Sequence, residues 1–182
     1  MDTNLDSLFF SKSDFANFRD ISANIPEAKI DGYIREAQTV EIRAFLGQEL
    51  WSAMQADWIE LSTEFADDRF NDLWFGANYT NYAGVDLKFN GYINAGVYFA
   101  YGRFLVQQQV NVSRFGVESI QNEISEDIGN PQIRVKARDA SQVAFAYQND
   151  ALAFLESNLS IYPEYKQNET RAKKTSFNFF KL

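Results

Sequence analysis

The stretch "IRVKARDASQVAFAYQNDALAF", Ile133 to Phe154, decides the fold. Its small and apolar residues Ile133, Ala137, Ala140, Ala144, Tyr147, Ala151 and Phe154 step by 4, 3, 4, 3, 4 and 3. Residues three and four apart share one face of an α-helix, so the pattern predicts a helix with a continuous seam. It runs about three turns longer than an average helix. A seam made mostly of alanine lets a second helix approach closely, and it suits either a core helix within one bundle or a coiled coil. Arg134, Lys136 and Arg138 crowd its start, where the helix dipole disfavours cations. Acidic partners are expected to offset them, and Glu123, Glu126 and Asp127 are close in sequence.

Upstream, the same reasoning yields more helices. Pro26 suits a helix first turn, with Glu27 at the positive end of the dipole. Ile30, Tyr33/Ile34, Ala37, Val40 and Ala44 then recur at helical spacing, and Gly47 closes the run after "FL". "QELWSAMQADWIEL" predicts a second helix with Leu50, Trp51, Met54 and Trp58 on one side. "STEFADDRFNDLWFG" predicts a third, capped by Ser62 or Thr63 and stopped at Gly76. A broadly apolar helix is expected from about Gly91 to Ser113, with Ala95, Gly96 and Gly102 as points of close approach. Between them, "ANYTNYAGVDLKFNG" is rich in Asn, Gly and Tyr, and its "VDLKF" alternates like a strand; it reads as an ordered loop or small hairpin. "SDFANFRDIS" predicts a brief helix near the start, with Ser13 or Asp14 as cap.

The expectation is an all-α chain: a helical bundle of four to five helices with a loop or short hairpin insertion and an extended C-terminal arm. Residues 1–24 form an N-terminal arm or short helix, 25–160 the helical domain with 77–91 as the insertion, and 161–182 a basic aromatic arm.

Composition narrows the chemistry. The 182 residues contain no histidine and no cysteine. That removes the commonest general base, the commonest metal ligands, disulfides and thiol catalysis. No G-x-S-x-G, S-x-x-K or Walker pattern occurs, so no catalytic residue is named and the chain is not expected to be an enzyme. Glu118, Glu123, Glu126 and Asp127 lack the loop spacing of an EF-hand; they read as an acidic face, toward a channel or another subunit, and no metal or cofactor is expected. With 46% hydrophobic and 16% aromatic residues the chain has ample material for a core. No apolar run approaches a membrane span, and the first residues lack a secretory pattern.

Charge is divided. The net charge is −8, yet from Ser160 onward five bases face two acids, which leaves +3 there and −11 on the rest. An acidic body is a poor phosphate binder. The tail, with Lys173, Lys174, Phe177, Phe179 and Phe180, reads either as an arm that docks on a protein neighbour or as a stacking surface for single-stranded nucleic acid. Given the acidic body, the protein neighbour is favoured. Tyr79, Tyr82 and Phe89 in the insertion are expected to make loop contacts with a partner.

The order of features resembles the head–tail connector (adaptor, or neck ring) proteins of tailed bacteriophages, especially those of phages infecting Bacteroidetes, including the crAss-like group. The residues that carry the resemblance are Phe45-Leu46-Gly47, Tyr98, Tyr101, Arg103-Phe104-Leu105 and Phe115-Gly116, within "AFLGQELW" and "NGYINAGVYFAYGRFLVQQQVNVSRFGVESIQNEISE". It covers roughly residues 26–160. It implies a structural virion protein of the neck or tail, assembled in the bacterial host cytoplasm. Such a protein forms a homo-oligomeric ring, usually a dodecamer, that binds the portal protein and further tail proteins. It extends the DNA channel, through which DNA passes without specific binding, and it touches no membrane. The alternative reading of the residues is an acidic cytoplasmic protein-binding module or regulator.

Overall fold

The structure, a computed structural model, describes residues 7–16, 25–107, 110–113, 116–119 and 130–166. Helices dominate the described residues. They are α1 (Lys12–Phe15), α2 (Glu27–Ala37), α3 (Arg43–Leu46), α4 (Gln48–Asp57), α5 (Asp68–Phe75), α6 (Ile93–Gln107) and α7 (Asn130–Ser157), with a π-helical turn, Gln38–Ile42, joining α2 to α3. The all-α expectation is too narrow, because three two-stranded antiparallel ladders accompany the helices. These are β1 (Trp58–Ile59) with β2 (Glu64–Phe65), β3 (Ala77–Thr80) with β4 (Asp86–Phe89), and β5 (Val110–Ser113) with β6 (Gly116–Ser119).

The 133–154 seam is a core seam. Ala137, Ala140, Ala144, Ala151 and Phe154 are buried, and α6 and α7 form the most extensive helix pair of the fold. Gly102 faces the carbonyl of Ala137 and the side chain of Ser141, so the helices pack backbone to small side chain. The intrachain reading of the seam therefore holds within this chain.

Several helix boundaries differ from expectation for local reasons; α4, for example, ends at Asp57, and Trp58 lies in β1. α6 ends at Gln107, and Val110–Ser113 pairs with Gly116–Ser119 instead of extending the helix. The alternating Val-Asn-Val-Ser run suits a strand, and strand pairing prevailed over helical extension. α5 starts at Asp68, capped by Asp67, whose carboxylate accepts the Arg69 N–H at 3.0 Å. The upstream residues Glu64–Phe65 are tied to Trp58–Ile59, so Ser62 and Thr63 cannot cap it. Near the start, α1 is capped one turn earlier than expected: the Ser11 N–H donates to the Asp14 carboxylate at 2.7 Å.

The π turn changes which face of the first long helix is inside. Ile30, Ile34 and Ala37 are buried as the spacing predicts, but Val40 and Ala44 are exposed, and Ile42, Phe45 and Leu46 are buried in their place. A π turn inserts one extra residue and so advances the buried face by one position.

Candidate interaction surfaces

The β3–β4 hairpin is built outward from the core. Its base is fixed by two glycines, where a β-carbon on Gly76 would lie 2.5 Å from the Phe89 carbonyl oxygen and one on Gly91 2.5 Å from the backbone of Trp74 and Phe75. Both have positive φ, +109° and +91°, a region glycine adopts without cost. The Tyr92 N–H donates to the Leu73 carbonyl at 3.0 Å and closes the base. One hairpin face carries Ala77, Tyr79, Leu87 and Phe89, paired across the strands; the other carries Asn78, Thr80, Asp86 and Lys88. The first face lies on α7: Phe89 stacks on Phe154 at 4.6 Å, and Tyr79 meets the same ring edge-on at 5.2 Å.

At the tip, Asn81 organises the turn. Its side-chain oxygen accepts the N–H groups of Ala83 and Val85 at 2.9 and 3.0 Å, and its own N–H donates to the Val85 carbonyl. Thr80 donates to Asp86 at 2.7 Å. This ordered turn holds Tyr82 at 77% exposure and Val85 at 51%. The structure therefore separates the three tyrosine and phenylalanine positions expected to contact a partner. Phe89, 3% exposed, and Tyr79 pack inward on this chain, whereas Tyr82 faces out.

A second feature was not anticipated. The segment Ser7–Phe10 lies in the core. Gln38, in the π turn, is buried and reads its main chain: the side-chain oxygen accepts the Phe9 N–H at 2.7 Å, and the side-chain amide donates to the Ser7 carbonyl at 3.1 Å. The Trp74 indole N–H donates to the Phe9 carbonyl at 3.2 Å. The Phe9 ring sits among Trp51, Trp58, Phe65 and Trp74, with ring centres 4.8 to 5.5 Å away. Phe10 lies against Gly96, where a β-carbon would approach its ring to 3.1 Å. Trp58 lines this box with a buried indole N–H that has no hydrogen-bond acceptor among the described residues.

Two ion-pair clusters brace the surface. Arg69 donates through both terminal nitrogens to Glu164, each at 2.9 Å, and through Nε to Asp67 at 2.8 Å. The Glu164 hydrogen bond holds the guanidinium's pKa above its ordinary range, and the carboxyls of Glu164 and Asp67 are held below theirs. The Tyr162 hydroxyl donates to the Arg69 carbonyl at 2.6 Å, and burial raises its pKa. Tyr165 is also buried, beside Phe45, so the expected C-terminal arm begins no earlier than Lys166. Arg103 on α6 pairs with Glu41 at 2.6 Å and Glu36 at 3.0 Å, beside a shallow groove of about 360 Å³ that also touches Gly102, Arg138 and Ser141.

Glu118 lies in β6 opposite Asn111. Glu123, Glu126, Asp127, Lys173, Lys174, Phe177, Phe179 and Phe180 lie outside the described residues, as does the expected pairing of Arg134, Lys136 and Arg138 with acids at 123–127. Among the described residues no group of three or more acidic side chains is placed to hold a metal ion, and no helix is long and apolar enough to cross a membrane.

The family model described as "Family of unknown function (DUF6712)" matches residues 45–175. That is well over half of the chain. The chain belongs to this family. The match begins at Phe45 of the "FLG" turn and includes the β3–β4 hairpin, α6 and α7. In this DUF6712 member the aromatic box residues Trp51, Trp58, Phe65 and Trp74 fall inside the matched span, while the Ser7–Phe10 segment that fills the box falls outside it. Neither the curated proteins nor the solved structures contain a match to the chain.

Proposed function

We propose that this chain is a structural virion protein: a head–tail connector that assembles as a homo-oligomeric ring between portal and tail and extends the DNA channel. The observation that carries the reading is the β3–β4 hairpin. Its base is locked by a glycine pair, its inner face is packed on α7, and its ordered tip offers Tyr82 and Val85 to solvent. A preformed projection with an apolar tip suits repeated contact with neighbouring subunits, since little ordering entropy is lost on assembly.

The residues of the resemblance support it from within the fold. Phe45 and Leu46 are buried at the end of the first long helix, and Phe45 meets Tyr92 at 4.9 Å just before α6. Arg103 ties α6 back to the same helix through Glu36 and Glu41. The net charge of −8 favours a channel wall that DNA slides past, because like charges repel phosphates. In this reading the basic tail from Arg171, with Lys173, Lys174, Phe177, Phe179 and Phe180, clasps a neighbouring subunit or the portal.

Electron microscopy of the purified chain, alone and mixed with the portal protein of the same genome, tests the proposal. Rings, or density on the portal, are expected with the natural chain. Val85→Asp combined with Tyr82→Asp abolishes them while leaving the melting temperature unchanged. Deletion of residues 171–182 weakens portal attachment and spares the fold. A chain that stays monomeric in the portal mixture and binds basic proteins instead is the acidic binding module.

A further inference from the structure

The Ser7–Phe10 segment is held as a peptide ligand is held. Three of its main-chain groups, the Ser7 carbonyl and the N–H and carbonyl of Phe9, are read by side chains of the body, Gln38 and Trp74. Extended peptides are commonly recognised by main-chain hydrogen bonds for affinity and side-chain pockets for specificity. Both elements are present. One pocket is the aromatic box around Phe9, and the other is the space over Gly96 that takes Phe10. The unit is compact, because α1 follows directly and its Phe15 is buried beside Phe10.

We infer that this pocket is a recognition site for an extended peptide with two adjacent aromatic residues, and that between copies of the chain it takes the Ser7–Phe15 segment of a second copy. The contacts the pocket makes do not depend on which copy supplies the segment. Exchange between identical copies therefore conserves every hydrogen bond and ring contact, which makes it a low-cost route to association. Residues 16 to 26 join the segment to α2, and a chain of that length spans up to about 35 Å when fully extended. The Phe-Phe pair occurs twice in the sequence, at 9–10 and at 179–180, so the second pair is the natural competitor. This inference does not rest on the ring proposal, since it concerns the N-terminal segment and its pocket, and its test needs neither a ring nor the portal.

The test uses the full chain with a protease site inserted between Asp20 and Ile21 and cut after folding. The probe is a fluorescein-labelled peptide of residues 6–15. The cut chain is expected to keep its native tryptophan emission and to take up the probe saturably by anisotropy. The same peptide with Phe9 and Phe10 replaced by alanine is expected to bind at least about a hundredfold more weakly. Loss of native emission on cutting, or no uptake of probe, overturns the inference: the segment is then an ordinary part of the core. A peptide of residues 173–182 that displaces the probe more effectively than residues 6–15 assigns the pocket to the other doublet and overturns the exchange. A second variant, uncut and lacking residues 18–21, is expected to elute as a dimer or larger closed oligomer with native tryptophan emission. If that variant is a monomer, or an oligomer with solvent-exposed tryptophan emission, exchange between copies is excluded.

Discussion

Arg69 and Glu164 form a two-pronged pair, both terminal nitrogens of the guanidinium at 2.9 Å from the carboxylate, across 95 residues of chain. The pair joins the first turn of α5 to the segment that follows α7. Arg69 adds a hydrogen bond to the Ile161 carbonyl at 3.1 Å and one to Asp67. Single exposed ion pairs contribute little, but a forked arginine that also holds a main-chain carbonyl contributes more. Both side chains are about one quarter exposed, which tempers the gain. Arg69→Ala is expected to cost about 1–2 kcal/mol in urea denaturation. Arg69→Lys should recover less than half of it, because an ammonium cannot reproduce the fork. Full recovery by lysine would show that only charge matters there.

The same cluster sets an acid response. The Arg69 side chain lowers the Glu164 carboxyl from its ordinary 4.5. At Asp67 the lowering comes first from the Arg69 main-chain N–H, from an ordinary 3.8. Folded values below unfolded values mean that the native state binds fewer protons, so this stability is complete above the unfolded values and is lost as pH falls through the folded ones. Asp72 has the opposite sign: burial, then Asp68, raises its carboxyl, and its protonation favours the folded state. Urea midpoints measured from about pH 7 to about pH 3 should therefore fall, with the loss starting below about pH 5. Glu164→Gln flattens that fall and Asp72→Asn steepens it. If Glu164→Gln loses stability over that range as steeply as the natural chain, the pair is not the source.

Gln38 is expected to be the most sensitive polar side chain in the fold. Gln38→Ala strips the buried Phe9 N–H of its acceptor and takes one donor from the Ser7 carbonyl. An unsatisfied buried group costs roughly 1–3 kcal/mol and a lost hydrogen bond about 1 kcal/mol, so a loss of about 2–4 kcal/mol is expected in thermal or urea unfolding. Trp58 is the contrast, since its buried indole N–H has no acceptor among the described residues. Trp58→Phe should be neutral or stabilising by up to about 1 kcal/mol, the lost ring area offsetting the relieved donor. A small effect at Gln38 and a large loss at Trp58 would reverse the account of what holds the N-terminal segment.

Several elements could be read from residues alone, and the reasons are local. The 3–4 stepping from Ile133 to Phe154 specifies α7, and Pro26, Gly47 and Gly76 mark real helix boundaries. The alternation around "VDLKF" marks a true strand, β4. What escaped has non-local causes. The π turn follows from tertiary packing that draws Gln38 onto Phe9, and nothing in "QTVEI" announces it. Ser7–Phe10 is four residues with no period, so its burial depends on a box assembled from α4, α5 and the β1–β2 ladder. Val110–Ser113 did carry a signal, the alternation Val-Asn-Val-Ser, but it followed a strong helix and was absorbed into it. In the insertion, strand pairing places Tyr79 and Phe89 on the covered face and leaves Tyr82 at the tip, a distinction that composition cannot make.

The three glycines of the hairpin should separate steric from conformational cost. Gly76 and Gly91 combine positive φ with backbone atoms 2.5 Å from any added β-carbon, and backbone cannot rotate away as a side chain can. Gly84 has φ +76° but open space around it. Gly84→Ala therefore meets only the left-handed penalty of about 1–2 kcal/mol. Gly76→Ala and Gly91→Ala must also move the base of the hairpin off α5, and each is expected to cost more than about 3 kcal/mol. Differential scanning calorimetry orders the three variants. The hairpin's register is set at this base, so the Gly76 and Gly91 variants should also lose the stacking of Phe89 on Phe154, read as faster amide exchange in β4, whereas Gly84→Ala leaves β4 protected. Equal losses at all three glycines would mean that the close approach at the base carries no weight and that the hairpin is held by its tip.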